Sequence, residues 1–277
     1  MGTRELNGLE LQGFIKERQL RQVRNLRQEH KIIPKLLIVK SPSAGPVIDT
    51  YVRMKVAYAK DISIEVEVAT VAENDMKEYI AKANVDSTIH GIIVQLPLEN
   101  KDKIDDICNS IDSTKDVDGL GVNALYPSAT AQAIDWLLAG YNVELSGKHI
   151  AIVGNGKLVG NPLARMWKRR GLLVTNLDDT SMNVDEVLLS SDVIVSATGV
   201  PRLITGAKVK HGAVVVDAGT ASESGQIVGD VAPDVRERTD VMVTPAKGGV
   251  GPLTYTVLFD HLIEACLRRA GKLHSNT

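Results

Sequence analysis

The sequence predicts two α/β domains built on parallel sheets. Three observations carry this prediction. Short apolar runs of strand length recur along the 277 residues, and stretches with helical spacing of apolar positions fall between them. The series runs through once, breaks between Asn123 and Gly147, and then resumes. The second series opens with an apolar strand, His149–Val153, that leads directly into a glycine-rich turn, Gly154-Asn155-Gly156-Lys157-Leu158-Val159-Gly160.

The elements follow in order. Residues 9–30 set Leu11, Phe14, Ile15, Val23 and Leu26 among charges, the pattern of an amphipathic helix. Leu36–Val39 is a buried strand, Ser41–Pro46 a loop rich in Ser, Pro and Gly, and Val47–Lys60 a helix. Ile62–Ala69 alternates as a strand does, Asn74–Ala83 is helical, and Gly91–Gln95 is another short buried strand. In the second series a helix spans Val159–Arg169, with strands at Leu172–Asn176, Asp192–Ser196, Ala213–Asp217 and Val241–Val243. A last helix covers Leu253–Ala270, with Leu258, Leu262, Ala265 and Leu267 near one face.

Charge nearly cancels, 32 basic residues against 34 acidic, which argues against strong non-specific attraction to nucleic acid or an anionic membrane. Cys108 and Cys266 lie far apart and match no metal or redox spacing, so they read as inert thiols in a reducing compartment, and no metal is expected. The apolar runs are too short to span a bilayer, and the N-terminal stretch mixes Arg, Glu and Gln without a signal-like apolar core. A cytoplasmic protein is the expectation.

The turn after His149–Val153 has the spacing Gly-x-Gly-x-x-x-Gly, one residue longer than the usual dinucleotide fingerprint. Its first glycines, Gly154 and Gly156, permit a tight turn and close approach of backbone N–H groups to a pyrophosphate. The helix opening near Val159 and Gly160 turns its N-terminus to the anion. A purely structural turn would use the same glycines. Asp178 stands 18 residues past Gly160, close to the offset at which an acid grips the adenosine ribose and repels a 2′-phosphate, thus favouring NAD. A solvated turn or a helix cap before Ser181 is the competing reading.

Further motifs come in a fixed order. They are Tyr51-Val52-Arg53-Met54-Lys55, Gly91-Ile92-Ile93-Val94-Gln95-Leu96-Pro97-Leu98, Lys115-Asp116-Val117-Asp118-Gly119-Leu120, Ser196-Ala197-Thr198-Gly199, Gly229-Asp230-Val231, and Thr244-Pro245 with Gly248-Gly249-Val250-Gly251-Pro252. In this order the chain resembles the bifunctional methylenetetrahydrofolate dehydrogenase/methenyltetrahydrofolate cyclohydrolase family over nearly its whole length. The resemblance implies an N-terminal α/β catalytic domain, residues 1–123, and a Rossmann-type NAD(P)-binding domain with a parallel sheet, residues 124–252. The C-terminal helix, 253–277, returns to the first domain, folate binds in the cleft between the two, and the protein is a homodimer. It also implies oxidation of 5,10-methylenetetrahydrofolate by NADP or NAD, then hydrolysis of the methenyl product to 10-formyltetrahydrofolate.

Tyr51 and Lys55 lie four apart on a predicted helix and so project from one face. By resemblance Tyr51 stacks on the folate, Lys55 is the cyclohydrolase acid/base and Gln95 positions it. A lysine needs burial to lower its pKa for that work. Asp118 corresponds to the pterin-binding carboxylate, although Asp116 and Asp118 could also cap a turn before Gly119. Pro97, Gly249 and Pro252 line the folate, with the glycine-rich stretch also readable as a turn before a helix that begins with Pro252. Ala197, Thr198 and Gly199 join Gly154, Asn155, Gly156, Val159 and Gly160 as cofactor contacts.

Departures cluster in the second domain. Gly154-Asn155-Gly156 replaces the family's Gly-Arg-Ser, which tilts the expectation to NAD, while Lys157 could restore some affinity for a phosphate. Pro127-Ser128-Ala129-Thr130-Ala131-Gln132 replaces Pro-Cys-Thr-Pro-x-Gly, Ile48 stands for a serine, Ala246-Lys247 for Val-Pro and Thr220 for Ile. Three further readings therefore stand beside the bifunctional one: a cyclohydrolase alone, an enzyme of another pterin, and a regulatory subunit that binds folate or dinucleotide. A hydroxy-acid dehydrogenase fits poorly, because no catalytic His–carboxylate pair presents itself.

Overall fold

The computed structural model describes residues 4–223 and 226–271. Residues 1–3 of the expected first domain and 272–277 of its returning segment lie outside the described residues. Two compact units emerge: residues 14–129 with 255–271, and residues 4–13 with 130–254. The N-terminal stretch through Gly13 therefore belongs with the second series, not the first, because its opening residues form a strand there.

The chain starts with β1 (Arg4–Glu5) and α1 (Gly8–Glu29), followed by β2 (Lys35–Lys40), α2 (Pro46–Asp61), β3 (Glu65–Thr70), α3 (Met76–Val85), β4 (Gly91–Val94) and α4 (Ile104–Cys108). β2, β3 and β4 form a three-stranded parallel sheet in the order β3-β2-β4. β4 is buried throughout and β2 is buried except at its ends, as expected of strands covered on both faces. Leu37, Val39, Ile92 and Val94 pack with Met76 and Ile80 of α3 and Ile107 of α4. Gly91 is a packing requirement, since a Cβ there would stand 2.7 Å from Leu262 and 2.9 Å from Val117.

Two local details depart from the expected pattern. β3 starts at Glu65 rather than Ile62, because the Ile62 N–H still bonds to Tyr58 and Ala59 and Ser63 turns the chain at φ 62°. In α1, Phe14 is 70% exposed, and the buried positions are Gln12, Gln19, Val23 and Leu26. The helix is rotated from its expected apolar face because the two glutamine amides donate to backbone carbonyls, Gln12 to Pro252 and Gln19 to Thr256, both at 2.8 Å. Satisfied amides bury at little cost, which aliphatic periodicity does not register.

Next come α5 (Ala129–Gly140), β5 (His149–Val153), α6 (Gly160–Arg169), β6 (Leu173–Leu177), α7 (Val184–Ser190), β7 (Val193–Ser196), β8 (Val214–Asp217), the short strands β9 (Ala221–Glu223) and β10 (Gln226–Val228), α8 (Pro233–Arg236), β11 (Met242–Val243) and α9 (Val250–Arg269). α5 occupies part of the region read as an inter-domain break. Ala129, Ala131, Ala133, Ile134, Leu137 and Leu138 are its buried positions. The main sheet of this unit is parallel, in the order β1-β11-β8-β7-β5-β6, and β9 pairs antiparallel with β10. One face of its core is formed by Ala151, Val153, Ile194, Val215 and Val243 with Leu188 of α7 and Val235 of α8. Among the described residues no helix is long and apolar enough to cross a membrane.

Leu37 is fully buried in the central strand of the smaller sheet. Leu37→Ala is expected to lower unfolding free energy by about 3 kcal/mol, as cavity-forming substitutions do. A urea titration followed by circular dichroism reads it, and an unchanged midpoint would contradict this placement of the core.

Candidate active site

In the smaller-sheet unit, α2 carries Tyr51 and Lys55, both half-buried, one turn apart. Gln95 follows β4 directly, and its N–H extends the ladder by bonding to the Val39 carbonyl at 2.8 Å. The Lys55 Nζ donates to Gln95 Oε1 at 2.7 Å. Gln95 Nε2 donates to the Leu96 carbonyl at 3.0 Å, so the amide oxygen is turned to the lysine by its own second bond. Leu96 joins Pro97 through a cis peptide.

Burial pushes the Lys55 ammonium below the usual lysine range, and the Asp118 charge works against that fall. Asp118 is pushed up to about 6 by burial, with Lys55 pulling it down and Asp116 adding to the rise. The two groups thus face each other electrostatically, while the direct contact of the lysine is a neutral amide. Asp118 sits in a turn fixed by the buried Asp116, whose carboxylate accepts from Gly119 N at 3.0 Å and Gly121 N at 2.7 Å. The Asp118 carbonyl accepts from Ala129 N at 3.0 Å. Gly119 has φ 70° and lies so near the Pro127 carbonyl that a Cβ would stand 2.2 Å from it. Asp116 therefore caps the turn, whereas Asp118 is carried on it.

In the other unit, Gly154 ends β5 at φ 105°, with room for no Cβ beside the Ala197 carbonyl, 2.5 Å away. Gly160 opens α6 so close to the turn that a Cβ would stand 1.9 Å from the Gly154 carbonyl. Gly156 differs: a Cβ there would meet no heavy atom within 4 Å. The two outer glycines close the turn, and the middle one leaves its outside open to a ligand. No side chain caps α6, whose preceding residue is Val159. That geometry fits an anionic pyrophosphate at backbone N–H groups. The side-chain amides of Asn155 and Asn176 meet at 2.9 Å, which ties the turn to β6.

Asp178 follows β6 and forms a tight polar turn. Its Oδ1 accepts from Thr180 N at 3.1 Å, Thr180 Oγ1 at 2.7 Å and Ser181 Oγ at 3.0 Å. These bonds, Thr180's first, hold the carboxyl below its ordinary range. The residue does not cap a helix, since α7 starts only at Val184. Thr198 is likewise committed inward: its N–H and its hydroxyl both donate to Asp230 Oδ2, at 2.7 and 2.8 Å. Ala197 N continues the ladder to Val153 at 2.8 Å, and Gly199 has φ 71°.

The Gly248–Pro252 stretch departs from the expected helix start. α9 begins at Val250, so Pro252 is its third residue, where the missing N–H still costs nothing. Gly248 has φ 85°, its carbonyl accepts from Leu9 N at 3.0 Å, and Gly8 sits where a Cβ would stand 1.9 Å from the Gly249 carbonyl. The capping side chain is Asn7, which accepts from Leu9 N and Glu10 N and whose own N–H donates to the Tyr141 hydroxyl at 3.0 Å. Sequence reasoning missed this support, as it missed Asp230 as an organiser, whereas the alternative reading of Asp116 as a turn cap before Gly119 is what the structure shows. The signal for Asp230 was an acid next to glycine in Gly229-Asp230-Val231.

A lysine–glutamine pair at the end of one parallel sheet and a glycine turn at the end of another define a dinucleotide-dependent α/β enzyme class. The comparisons narrow it. Residues 6–118 match the family model "tetrahydrofolate dehydrogenase/cyclohydrolase, catalytic domain", and residues 128–270 match its NAD(P)-binding domain. The bifunctional protein FolD of Streptococcus pyogenes serotype M5 is 32% identical over 98% of this chain and all of its own length. The FolD methylenetetrahydrofolate dehydrogenase/cyclohydrolase structure from Campylobacter jejuni is 30% identical, with TM-score 0.89 over 96% of this chain and 99% of that one. The Trypanosoma brucei enzyme, solved with NADP and an inhibitor, is 26% identical, with TM-score 0.90 over 99% and 100% of the two chains. The chain belongs to the tetrahydrofolate dehydrogenase/cyclohydrolase family.

The glycine geometry separates folding from binding. Gly154→Ala is expected to lower the melting temperature, since a positive φ and a backbone clash together cost about 1–3 kcal/mol. Gly156→Ala should melt as the parent does but bind NAD or NADP more weakly in a calorimetric titration. Equal melting of all three proteins would refute the assignment of the two glycine roles.

Proposed function

We propose that the chain oxidises 5,10-methylenetetrahydrofolate with a nicotinamide dinucleotide and hydrolyses the methenyl product to 10-formyltetrahydrofolate. The observation that carries this reading is the half-buried Lys55 held at 2.7 Å by the Gln95 amide, with the Asp118 charge acting on it. The bound nicotinamide supplies the hydride acceptor of the first reaction. The protein's share of that step is to orient two flat rings. Tyr51 offers a ring face to the folate, Asp118 accepts N–H donors of the pterin edge, and Pro97, Gly249 and Pro252 supply non-polar and backbone surface around it.

In the hydrolysis, water adds to the methenyl carbon and must lose a proton as the new C–O bond forms. Lys55, its pKa lowered by burial, takes that proton and returns it to the ring nitrogen whose bond to carbon breaks. Gln95 holds the lysine by a neutral oxygen, which fixes its position without trapping its proton as a carboxylate would.

On the cofactor, the turn Gly154–Gly160 takes the pyrophosphate, Ala197–Gly199 border the dinucleotide, and Asp178 lies at the ribose. NAD is favoured over NADP, because Asn155 replaces the family's arginine and the Asp178 carboxylate repels a 2′-phosphate. The Asp178 turn weakens this preference in part, since one oxygen is already used by Thr180 and Ser181. A homodimer completes the proposal, on the resemblance alone.

The deciding assay is oxidation of methylenetetrahydrofolate with NAD and with NADP, beside hydrolysis of added methenyltetrahydrofolate. Turnover with NAD well above NADP is expected; the reverse order removes Asp178 from the ribose. Hydrolysis without oxidation would reduce the enzyme to a cyclohydrolase, and silence in both assays would defeat the proposal. Lys55→Met should slow hydrolysis by about 10²–10⁴-fold, the usual share of a general base.

The pH dependence has a definite sign. The working form of Lys55 is neutral, so hydrolysis should rise with pH through its lowered pKa. Asp118 holds that pKa up, and Asp118→Asn should shift the midpoint of the kcat profile to lower pH. A midpoint that stays put or moves up would show that the two charges are not coupled.

A further inference from the structure

Beyond the proposed contacts, two buried aspartates organise the carboxyl ends of β7 and β8. Asp230 is fully buried. Its Oδ2 accepts three donors from the segment after β7: Ser196 Oγ at 2.7 Å, Thr198 N at 2.7 Å and Thr198 Oγ1 at 2.8 Å. Thr198 Oγ1 in turn accepts from Val200 N at 3.1 Å. One carboxylate oxygen therefore sets the path of the chain from Ser196 to Val200. Its other oxygen, Oδ1, is buried with no hydrogen-bond partner among the described residues, and Gly219 lies so near it that a Cβ would stand 2.0 Å away.

Asp230 is itself held from behind. Its backbone N–H donates to Asp217 Oδ1 at 3.0 Å, and Gly219 N donates to the same oxygen at 3.1 Å. Asp217 Oδ2 accepts from Val231 N at 3.0 Å and from Arg236 Nη2 at 2.7 Å. Arg236 also donates to the Val231 and Thr244 carbonyls, at 2.6 and 3.1 Å, and Asp217 N donates to Thr244 Oγ1 at 2.9 Å. The ends of β7, β8 and β11 are thus joined through one set of charge-assisted bonds, each stronger than a neutral one.

We infer that Asp230 is a positioning residue of the dehydrogenase reaction, which sets the Ser196–Val200 loop for the dinucleotide without touching it. The inference rests on the reading of this sheet edge as the cofactor site. Its force comes from the three donors. With the Thr198 N–H and hydroxyl both spent on Asp230, the path of the loop through Gly199, at φ 71°, depends on the carboxylate. Without the acid, the Ser196 and Thr198 hydroxyls are left to reorient, and the loop loses its fixed path. A group that only stabilised the fold would not single out the cofactor.

The test compares Asp230→Asn and Thr198→Val with the parent, measuring oxidation with varied NAD and NADP, oxidation with varied folate, and hydrolysis of added methenyltetrahydrofolate. Asp230→Asn keeps the shape but gives up the charge. It is expected to raise the dinucleotide KM by about tenfold, the loss of roughly one charged hydrogen bond. The folate KM and the hydrolysis rate, which uses no dinucleotide, should stay unchanged. Thr198→Val should move the dinucleotide KM in the same direction by about threefold, within the range of one neutral bond. An unmoved dinucleotide KM, or a parallel fall of oxidation and hydrolysis, would overturn the inference. Should Asp230→Asn fail to fold, Thr198→Val decides on the same readouts. A parent that hydrolyses but oxidises with neither dinucleotide would overturn the functional reading instead.

Discussion

Parallel pairing is the constraint on which the rest depends. In the main sheets of both units every strand pair is parallel. Parallel strands need crossover connections, so within one sheet all carboxyl ends lie along one edge. The strand interiors are covered and apolar, which leaves those ends as the place for polar chemistry. Gln95 follows β4, Gly154 follows β5, Asp178 follows β6, Ala197 follows β7 and Thr244 follows β11. The candidate groups are thus consequences of strand direction as much as of side-chain type.

Placing ionisable groups at such ends has an electrostatic cost that the structure handles in two ways. Around Asp217 and Arg236 opposite charges meet directly and the remaining lone pairs are filled by backbone donors. Such a pair is held in place on both sides by its hydrogen bonds. Around Lys55 the direct partner is an amide and the compensating carboxylate acts through space. That arrangement leaves the charge of the lysine incompletely compensated, which is the condition for a lysine that gives up its proton more readily than usual.

Much of this was legible in the sequence, and the reason is physical. Buried parallel strands must be short apolar runs, and β2, β4, β5, β7 and β8 stand within a residue or so of the runs that announced them. Tyr51, Lys55 and Gln95 were singled out by the family resemblance; the helix spacing of four and the strand end gave only where they stand. Other features leave no local trace. β1 has two residues, and its partner lies at the far end of the chain. α5 is rich in alanine and buried on several sides, so its period is blurred. The buried face of α1 uses glutamines, which a count of apolar positions assigns to solvent. Asp217, Asp230 and Arg236 meet only because the sheet brings three strand ends together, and no spacing in the sequence encodes that meeting.

The pairing of Arg4 with Met242 bears on how the chain is made. β1, one outer strand of the larger sheet, is made long before β11, the strand it pairs with. Until then the nascent β8 has no neighbour on that side, and an early-folded smaller unit would have to form with the N-terminal strand still waiting. Contacts of such long sequence separation close slowly. Completion of the dinucleotide unit therefore waits on the arrival of β11 rather than on the strength of any single contact.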